Sequence, residues 1–121
     1  MNNTRFFQRA MSTIVSKSYV KSMVENPGSK ILIDVREPGE YAEGFIPSSK
    51  NLSVQKLQVA LTKENDEFKE LYGFEKPSKD DHIVFYCKSG MRSAVASKIA
   101  ESHGFKNIYD YSGSWLDWSK K

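Results

Sequence analysis

Two short apolar runs, at residues 31–35 and 83–86, constrain the fold of this chain more than any other feature. A run of this length that is apolar at nearly every position is typical of a strand buried on both faces of a parallel sheet. Short apolar strands that alternate with stretches of helical spacing predict an α/β domain around such a sheet. The other predicted elements are strands at 51–53 and 108–111 and helices at 18–25, 38–44, 54–62, 65–72, 115–120 and from Met91 to Gly104, the last with Met91, Val95 and Ile99 four apart.

Size and composition set the class of protein. A chain of 121 residues has room for one domain with one core. Apolar residues make up 39% and charged residues 27%, which is ordinary for a globular domain in water. The net charge of +3 comes without a Lys/Arg stripe interleaved with aromatics, so we expect no nucleic-acid partner. The apolar runs are also too short to cross a bilayer, so we expect no membrane partner.

Residues 1–17 differ from the rest of the chain. They carry Arg5, Arg9 and Lys17 and no acidic residue, and their apolar side chains fall on one face of a helix. A basic, acid-free, amphipathic segment is the signature of a mitochondrial presequence. We therefore expect residues 1–17 to be a presequence or a disordered leader, with the folded domain at 18–121. An alternative start at Met11 leaves a cytoplasmic form open.

The chemistry of the chain centres on Cys87, its one cysteine. It ends the second apolar run and is followed by a glycine, two cations and a helical pattern, in the order Lys88, Ser89, Gly90, Met91 and Arg92. In such a strand–loop–helix junction, backbone N–H groups point inward and the helix dipole adds positive charge. These groups and adjacent cations lower a thiol pKa from about 8.5 toward neutrality. An inert core cysteine is the alternative, but flanking cations favour an activated nucleophile.

A single cysteine also limits the mechanism. It forms no disulfide within the chain and has no resolving partner, so a reactive Cys87 must pass its cargo to an outside acceptor. Such cysteine usage indicates a reducing compartment. The two histidines are His82 and His103, and His82 lies five residues before Cys87, on the opposite side of the predicted strand. Because tetrahedral zinc needs more ligands, we expect no metal and no cofactor.

Four motifs, in the right order and spacing, resemble the single-domain rhodaneses, the thiosulfate sulfurtransferase family. They are Asp34-Val35-Arg36-Glu37, Gly44-Phe45-Ile46-Pro47 followed by Asn51-Leu52, Cys87-Lys88-Ser89-Gly90-Met91-Arg92-Ser93, and Gly113-Ser114-Trp115 with Trp118. The resemblance covers residues 18–121. It implies a rhodanese-like domain with a central, five-stranded parallel sheet and helices on both faces.

The resemblance also implies a reaction. Cys87 would attack a small anionic sulfur donor, thiosulfate or a persulfide, and hold the sulfane sulfur as a persulfide until a thiol or cyanide removes it. The amides of residues 88–92 would cradle the sulfur and the leaving anion, while Lys88 and Arg92 attract the donor and lower the thiol pKa. Asp34 and Arg36 are supporting residues that either position the loop or pair within the scaffold. We expect a monomer.

Three positions depart from the family's motifs, and two other functions remain open for this fold. Phe45 replaces the family's histidine, which favours packing over chemistry there, and Ser48 and Ser114 replace common glycines. One alternative is a non-enzymatic binding or regulatory module on the same fold, although inactive relatives typically lose the cysteine or its loop. The other is a cysteine phosphatase. In the loops of those enzymes five residues separate the cysteine from the arginine, whereas four residues separate Cys87 from Arg92. The physiological donor and acceptor stay open.

Overall fold

The fold is built on a five-stranded sheet in which every strand pair is parallel. We describe it from a computed structural model, for residues 12–120. The strand order is β1-β5-β4-β2-β3. The strands are β1 (Thr13–Ile14), β2 (Ile31–Asp34), β3 (Lys50–Asn51), β4 (His82–Tyr86) and β5 (Asn107–Asp110). The predicted fold class is confirmed, and the central strand, β4, is the one that leads into Cys87.

Helices cover both faces of the sheet. They are α1 (Lys17–Glu25), α2 (Pro38–Glu43), α3 (Val54–Ala60), α4 (Asn65–Tyr72), α5 (Met91–Ser102) and α6 (Ser114–Trp118). Phe85 of β4 packs into a core cluster with α3, α4 and α5, while its neighbours Val84 and Tyr86 pack into a second cluster with α1 and α6. This alternation buries β4 on both faces, which is why its sequence is apolar throughout.

The first strand lies inside the segment expected to be a leader. Thr13 and Ile14 pair in parallel with Tyr109 and Asp110 of β5, and the N–H of Val15 continues the ladder to the Asp110 carbonyl at 3.0 Å. Two residues are too few for a periodic signal, so this strand could not be predicted. Most of the predicted leader, residues 1–11, lies outside the described residues, and its targeting role stays a prediction.

Helix α5 buries small side chains rather than its large apolar ones. Its buried residues are Ser93, Ala96, Ser97 and Ala100. By contrast, Met91 is 80% exposed and Val95 is 51% exposed. The four-residue spacing of the large apolar residues predicted the helix correctly but does not mark its buried face. Small residues on that face let the helix axis approach the sheet closely, which holds the start of α5 against the end of β4.

Candidate active site

Cys87 lies directly after β4, at the carboxyl edge of the sheet, where parallel sheets bind their ligands. The chain turns sharply at Gly90, whose φ of +107° is in the left-handed region, and enters α5 at Met91. A Cβ at Gly90 would lie 2.6 Å from the carbonyl oxygen of Ser112. Only glycine fits this turn, because any side chain would be strained and would also collide with backbone.

The sulfur of Cys87 is surrounded by hydrogen-bond donors. The N–H of Gly90 lies 3.1 Å from Sγ and that of Ser93 lies 3.3 Å away, while the hydroxyl oxygen of Ser114 is at 3.8 Å. Burial raises the pKa of the Cys87 thiol, but these backbone and hydroxyl contacts lower it by more, so the pKa falls below its ordinary value. The site therefore favours a thiolate without a paired base.

The amides that donate to the Cys87 sulfur agree only in part with the predicted anion-binding residues 88–92. Gly90 is the one predicted member whose amide donates to Sγ within the described part of the chain, and Ser93 adds a donor that was not predicted. The exposed residues of the loop line the entrance to the site, which we call its mouth; they are Lys88, Ser89 and Met91. The first amides of a helix have no intrahelical acceptor, so those at the start of α5 can face an anion bound there.

Arg92 is engaged by a residue that the sequence did not single out. Its two terminal nitrogens donate to the two carboxylate oxygens of Glu40, at 2.8 and 3.1 Å. The hydrogen bond from Arg92 lowers the pKa of Glu40 to about 2. The two residues are 52 positions apart, so no local charge pattern points to this pair. Lys88 makes no ion pair within residues 12–120.

Asp34 and Arg36 pair inside the scaffold. The guanidinium of Arg36 lies 2.7 Å from the Asp34 carboxylate, with both side chains buried, and it also donates to the Gly44 carbonyl at 2.7 Å. It lies over the ring of Trp115 at 5.0 Å, and the N–H of Trp115 donates to the Cys87 carbonyl at 2.9 Å. The guanidinium also lies 5.8 Å from the ring centroid of Tyr86, the residue before Cys87, so the pair contacts the site through Trp115 and Tyr86 and does not touch the sulfur.

Ser48 and Ser114, the two serines that the resemblance implies stand at glycine positions, both have a left-handed backbone, with φ of +73° and +57°. Such a conformation costs a non-glycine residue about 1–2 kcal/mol. Ser114 uses its side chain at the site: its Oγ accepts from the Cys87 N–H at 3.1 Å and donates to the Tyr111 carbonyl at 2.8 Å. The departure from glycine thus adds a hydroxyl directly behind the sulfur.

Phe45, which the resemblance implies stands where a histidine is usual, packs against a neighbouring aromatic ring. Its ring stacks on Tyr41, with centroids 4.3 Å apart and planes at 15°, while 46% of the residue stays exposed. The Tyr41 hydroxyl donates to the Ser49 carbonyl at 2.6 Å, which anchors the stack. Phe45 has no group that could exchange a proton, so its geometry is that of a packing residue.

Neither a metal centre nor a membrane span is found between residues 12 and 120. No group of three or more histidine, cysteine or acidic side chains converges there, and no helix is both long and apolar enough to cross a bilayer. His82 instead makes a 2.6 Å hydrogen bond with the hydroxyl of Tyr109, which packs against the second core cluster. Cys87 belongs to the first cluster, so the two side chains do lie on opposite faces.

Comparison with known proteins agrees with this geometry. Residues 16–121 match the model of the rhodanese-like domain family. The chain is 50% identical over 93 residues to a putative mitochondrial thiosulfate sulfurtransferase of Schizosaccharomyces pombe, across 77% of this chain and 66% of that protein. It is 37% identical over 108 residues to the thiosulfate:glutathione sulfurtransferase of Homo sapiens, across 88% and 93%. The structure of the human single-domain sulfurtransferase TSTD1 superposes with a TM-score of 0.84 at 33% identity, covering 92% of this chain and all of that one.

Proposed function

This chain belongs to the rhodanese-like domain family, and on that premise we propose that it is a sulfurtransferase that carries sulfane sulfur on Cys87. One observation carries the proposal: the N–H groups of Gly90 and Ser93 lie 3.1 and 3.3 Å from the one cysteine sulfur. Hydrogen bonds from amides stabilise a thiolate, and the thiolate is the nucleophilic form of cysteine. A nucleophile prepared in this way needs no general base.

In the first half-reaction, the Cys87 thiolate attacks the sulfane sulfur of thiosulfate. A bond forms between the cysteine sulfur and the sulfane sulfur, the sulfur–sulfur bond of thiosulfate breaks, and sulfite leaves with the electron pair. Cys87 becomes a persulfide anion, and no proton has to move. Amides of residues 88–92 hold the new outer sulfur and the departing sulfite. Lys88 draws the anionic donor to the mouth, and Arg92, which is paired with Glu40, still has N–H groups that can donate to it.

In the second half-reaction, an acceptor attacks the outer sulfur of the persulfide. The persulfide bond breaks, the Cys87 thiolate is regenerated, and the acceptor leaves as a new persulfide if it is a thiol or as thiocyanate if it is cyanide. The chain has one cysteine, so no second thiol of its own can take the sulfur. The name of the human relative supports glutathione as the thiol acceptor. Transfer in two such steps gives ping-pong kinetics.

We place the protein in mitochondria, in monomeric form. The name of the Schizosaccharomyces pombe relative and the basic, acid-free residues 1–17 support this location, and a cytoplasmic form starting at Met11 is the alternative. A fluorescent fusion should lose mitochondrial targeting when residues 1–17 are removed.

Sedimentation of the purified chain tests whether it is a monomer. Asp34 and Arg36 support the site from the scaffold, and we expect no cofactor.

The proposed function is tested by the mass of the intact protein after incubation with excess thiosulfate. We expect a gain of one sulfur atom, which disappears when cyanide is added and thiocyanate is released. Cys87→Ser is the control, because it replaces one atom and should keep the fold while losing all sulfur loading. Loading of the Cys87→Ser variant, or no loading of the unmodified chain by thiosulfate or glutathione persulfide, would contradict the proposal and direct attention to a binding module or a phosphatase.

A further inference from the structure

The net positive charge at the mouth of the site is smaller than the presence of Lys88 and Arg92 suggests. Arg92 is held in a two-pronged ion pair by Glu40, at 2.8 and 3.1 Å, with about a third of each side chain exposed. The pKa of Glu40 is lowered to about 2 by its hydrogen bond from Arg92, so the carboxylate stays ionised throughout the physiological range. Among the described residues, Lys88 is then the loop cation without an ionic partner.

Glu40 is fixed in this position by its own helix. It is the third residue of α2, and its Oε1 also accepts from the N–H of Glu37 at 3.0 Å, which completes a capping box. A carboxylate held by its helix and by Arg92 cannot swing away easily when a donor arrives. A guanidinium has five N–H donors, and Glu40 uses two of those on Arg92. Arg92 can therefore still donate to a ligand, but its charge is already balanced.

We propose that Glu40 determines specificity among sulfur donors by cancelling the charge of Arg92. The inference rests on the proposed sulfur transfer. The interaction of a fixed charge with a ligand scales with the charge of that ligand. The carboxylate of Glu40 therefore disfavours the dianion thiosulfate more strongly than a donor with one negative charge, and it moves the preference of the site toward donors of lower charge.

A purely structural role for Glu40 makes the opposite prediction. If Glu40 only orients Arg92 for the donor, removal of its charge leaves Arg92 mobile and weakens the use of every anionic donor. If Glu40 sets the charge of the mouth, removal of its charge strengthens anionic donors in proportion to their charge. The variant that separates the two is Glu40→Gln, because glutamine also serves at this position of a capping box but carries no charge.

The first experiment measures the electrostatic potential near the sulfur and needs no enzymatic turnover. Iodoacetate and iodoacetamide alkylate the same thiolate, so the ratio of their rates is independent of the thiol pKa and reports the local potential. In Glu40→Gln this ratio should rise about threefold at low salt and fall back toward the unmodified value at about 1 M salt. Glu43→Gln, which removes an exposed charge from the same helix, should leave the ratio nearly unchanged. An equal ratio in Glu40→Gln and the unmodified chain would overturn the inference.

The second experiment compares kcat/KM for thiosulfate with that for benzenethiosulfonate, a donor with one negative charge. In Glu40→Gln we expect both to rise, with the factor for thiosulfate about the square of the factor for the monoanion. A fall for both donors would assign Glu40 to positioning and overturn the inference. If the unmodified chain transfers no sulfur at all but the alkylation ratio still shifts, the proposed function fails while the charge effect of Glu40 stands.

Discussion

Ser114 illustrates how a single hydroxyl reaches the reacting atom from a distant part of the chain. Its proton is directed to the Tyr111 carbonyl at 2.8 Å, while its oxygen lies 3.8 Å from the Cys87 sulfur and accepts the Cys87 N–H at 3.1 Å. A hydroxyl proton rotates to suit its neighbours, so it can turn toward the sulfur when the sulfur carries a charge. Ser114 holds this place with a left-handed backbone, which is costly for serine.

Replacement of Ser114 by glycine should therefore raise the thiol pKa by about one unit, since a hydrogen bond to a charged group contributes about 1.5 kcal/mol and one pKa unit corresponds to about 1.4 kcal/mol. Thermal stability should change little, because relief of backbone strain offsets the Cys87 N–H that loses its partner. The pH dependence of alkylation by iodoacetamide measures the pKa. Ser48→Gly is the matched control: it relieves the same strain at φ +73° but should leave the thiol pKa unchanged. Equal pKa values in both variants would remove Ser114 from the site.

At the scale of elements, the edge strand β1 matters more than its two residues suggest. It extends the sheet beside β5, and the Val15 N–H continues the pairing to Asp110 at 3.0 Å. Directly after it, the hydroxyl of Ser16 caps α1 by accepting the Tyr19 N–H at 3.3 Å. Residues 13–16 thus tie α1 to the edge of the sheet, ahead of the boundary at residue 18 that the sequence predicts.

Two truncations test the contribution of this edge. Removal of residues 1–11 leaves β1 and the cap of α1 intact, so the melting temperature should stay close to that of the full chain. Removal of residues 1–16 should lower stability by at least about 1 kcal/mol, because the cap alone is worth that much. Thermal unfolding followed by circular dichroism gives both values. Equal melting temperatures for the two truncations would show that the domain does begin near residue 18.

For the whole molecule, two carboxyl groups make stability depend on pH with opposite sign. The pKa of Glu40 falls from 4.5 to about 2 on folding, so its contribution is present above pH 4.5 and is lost as the pH drops toward 2. Burial raises the pKa of Asp110, one of whose carboxylate oxygens has no hydrogen-bond partner within residues 12–120. The folded state therefore binds the Asp110 proton more tightly than the unfolded state, and ionisation of this group destabilises the fold as the pH rises.

Asp110→Asn should accordingly stabilise the protein near neutral pH, by about 1 kcal/mol, since an uncharged amide is less costly to bury than a carboxylate. The gain should shrink as the pH falls, because the raised pKa lets the Asp110 carboxyl group of the folded state take up its proton and lose its charge. Melting temperatures measured between pH 4 and 8 follow this difference. Asp66→Asn, on the exposed side of α4, serves as control and should show no such trend. A gain that is constant across this range would contradict the assignment to Asp110 ionisation.

Local sequence determined the strands other than β1, the helices and the Cys87 loop, because periodicity, glycine turns and the cysteine–arginine spacing act between residues that are close along the chain. α4 begins and ends where predicted, at Asn65–Tyr72, and Gly90 makes the turn that brings two amides to the sulfur. Tertiary packing determined the contacts between residues that are far apart along the chain. Glu40 meets Arg92 across 52 positions and Ser114 meets Cys87 across 27, so neither contact has a local signature. Such pairs arise only when the sheet brings the ends of separate elements to one edge.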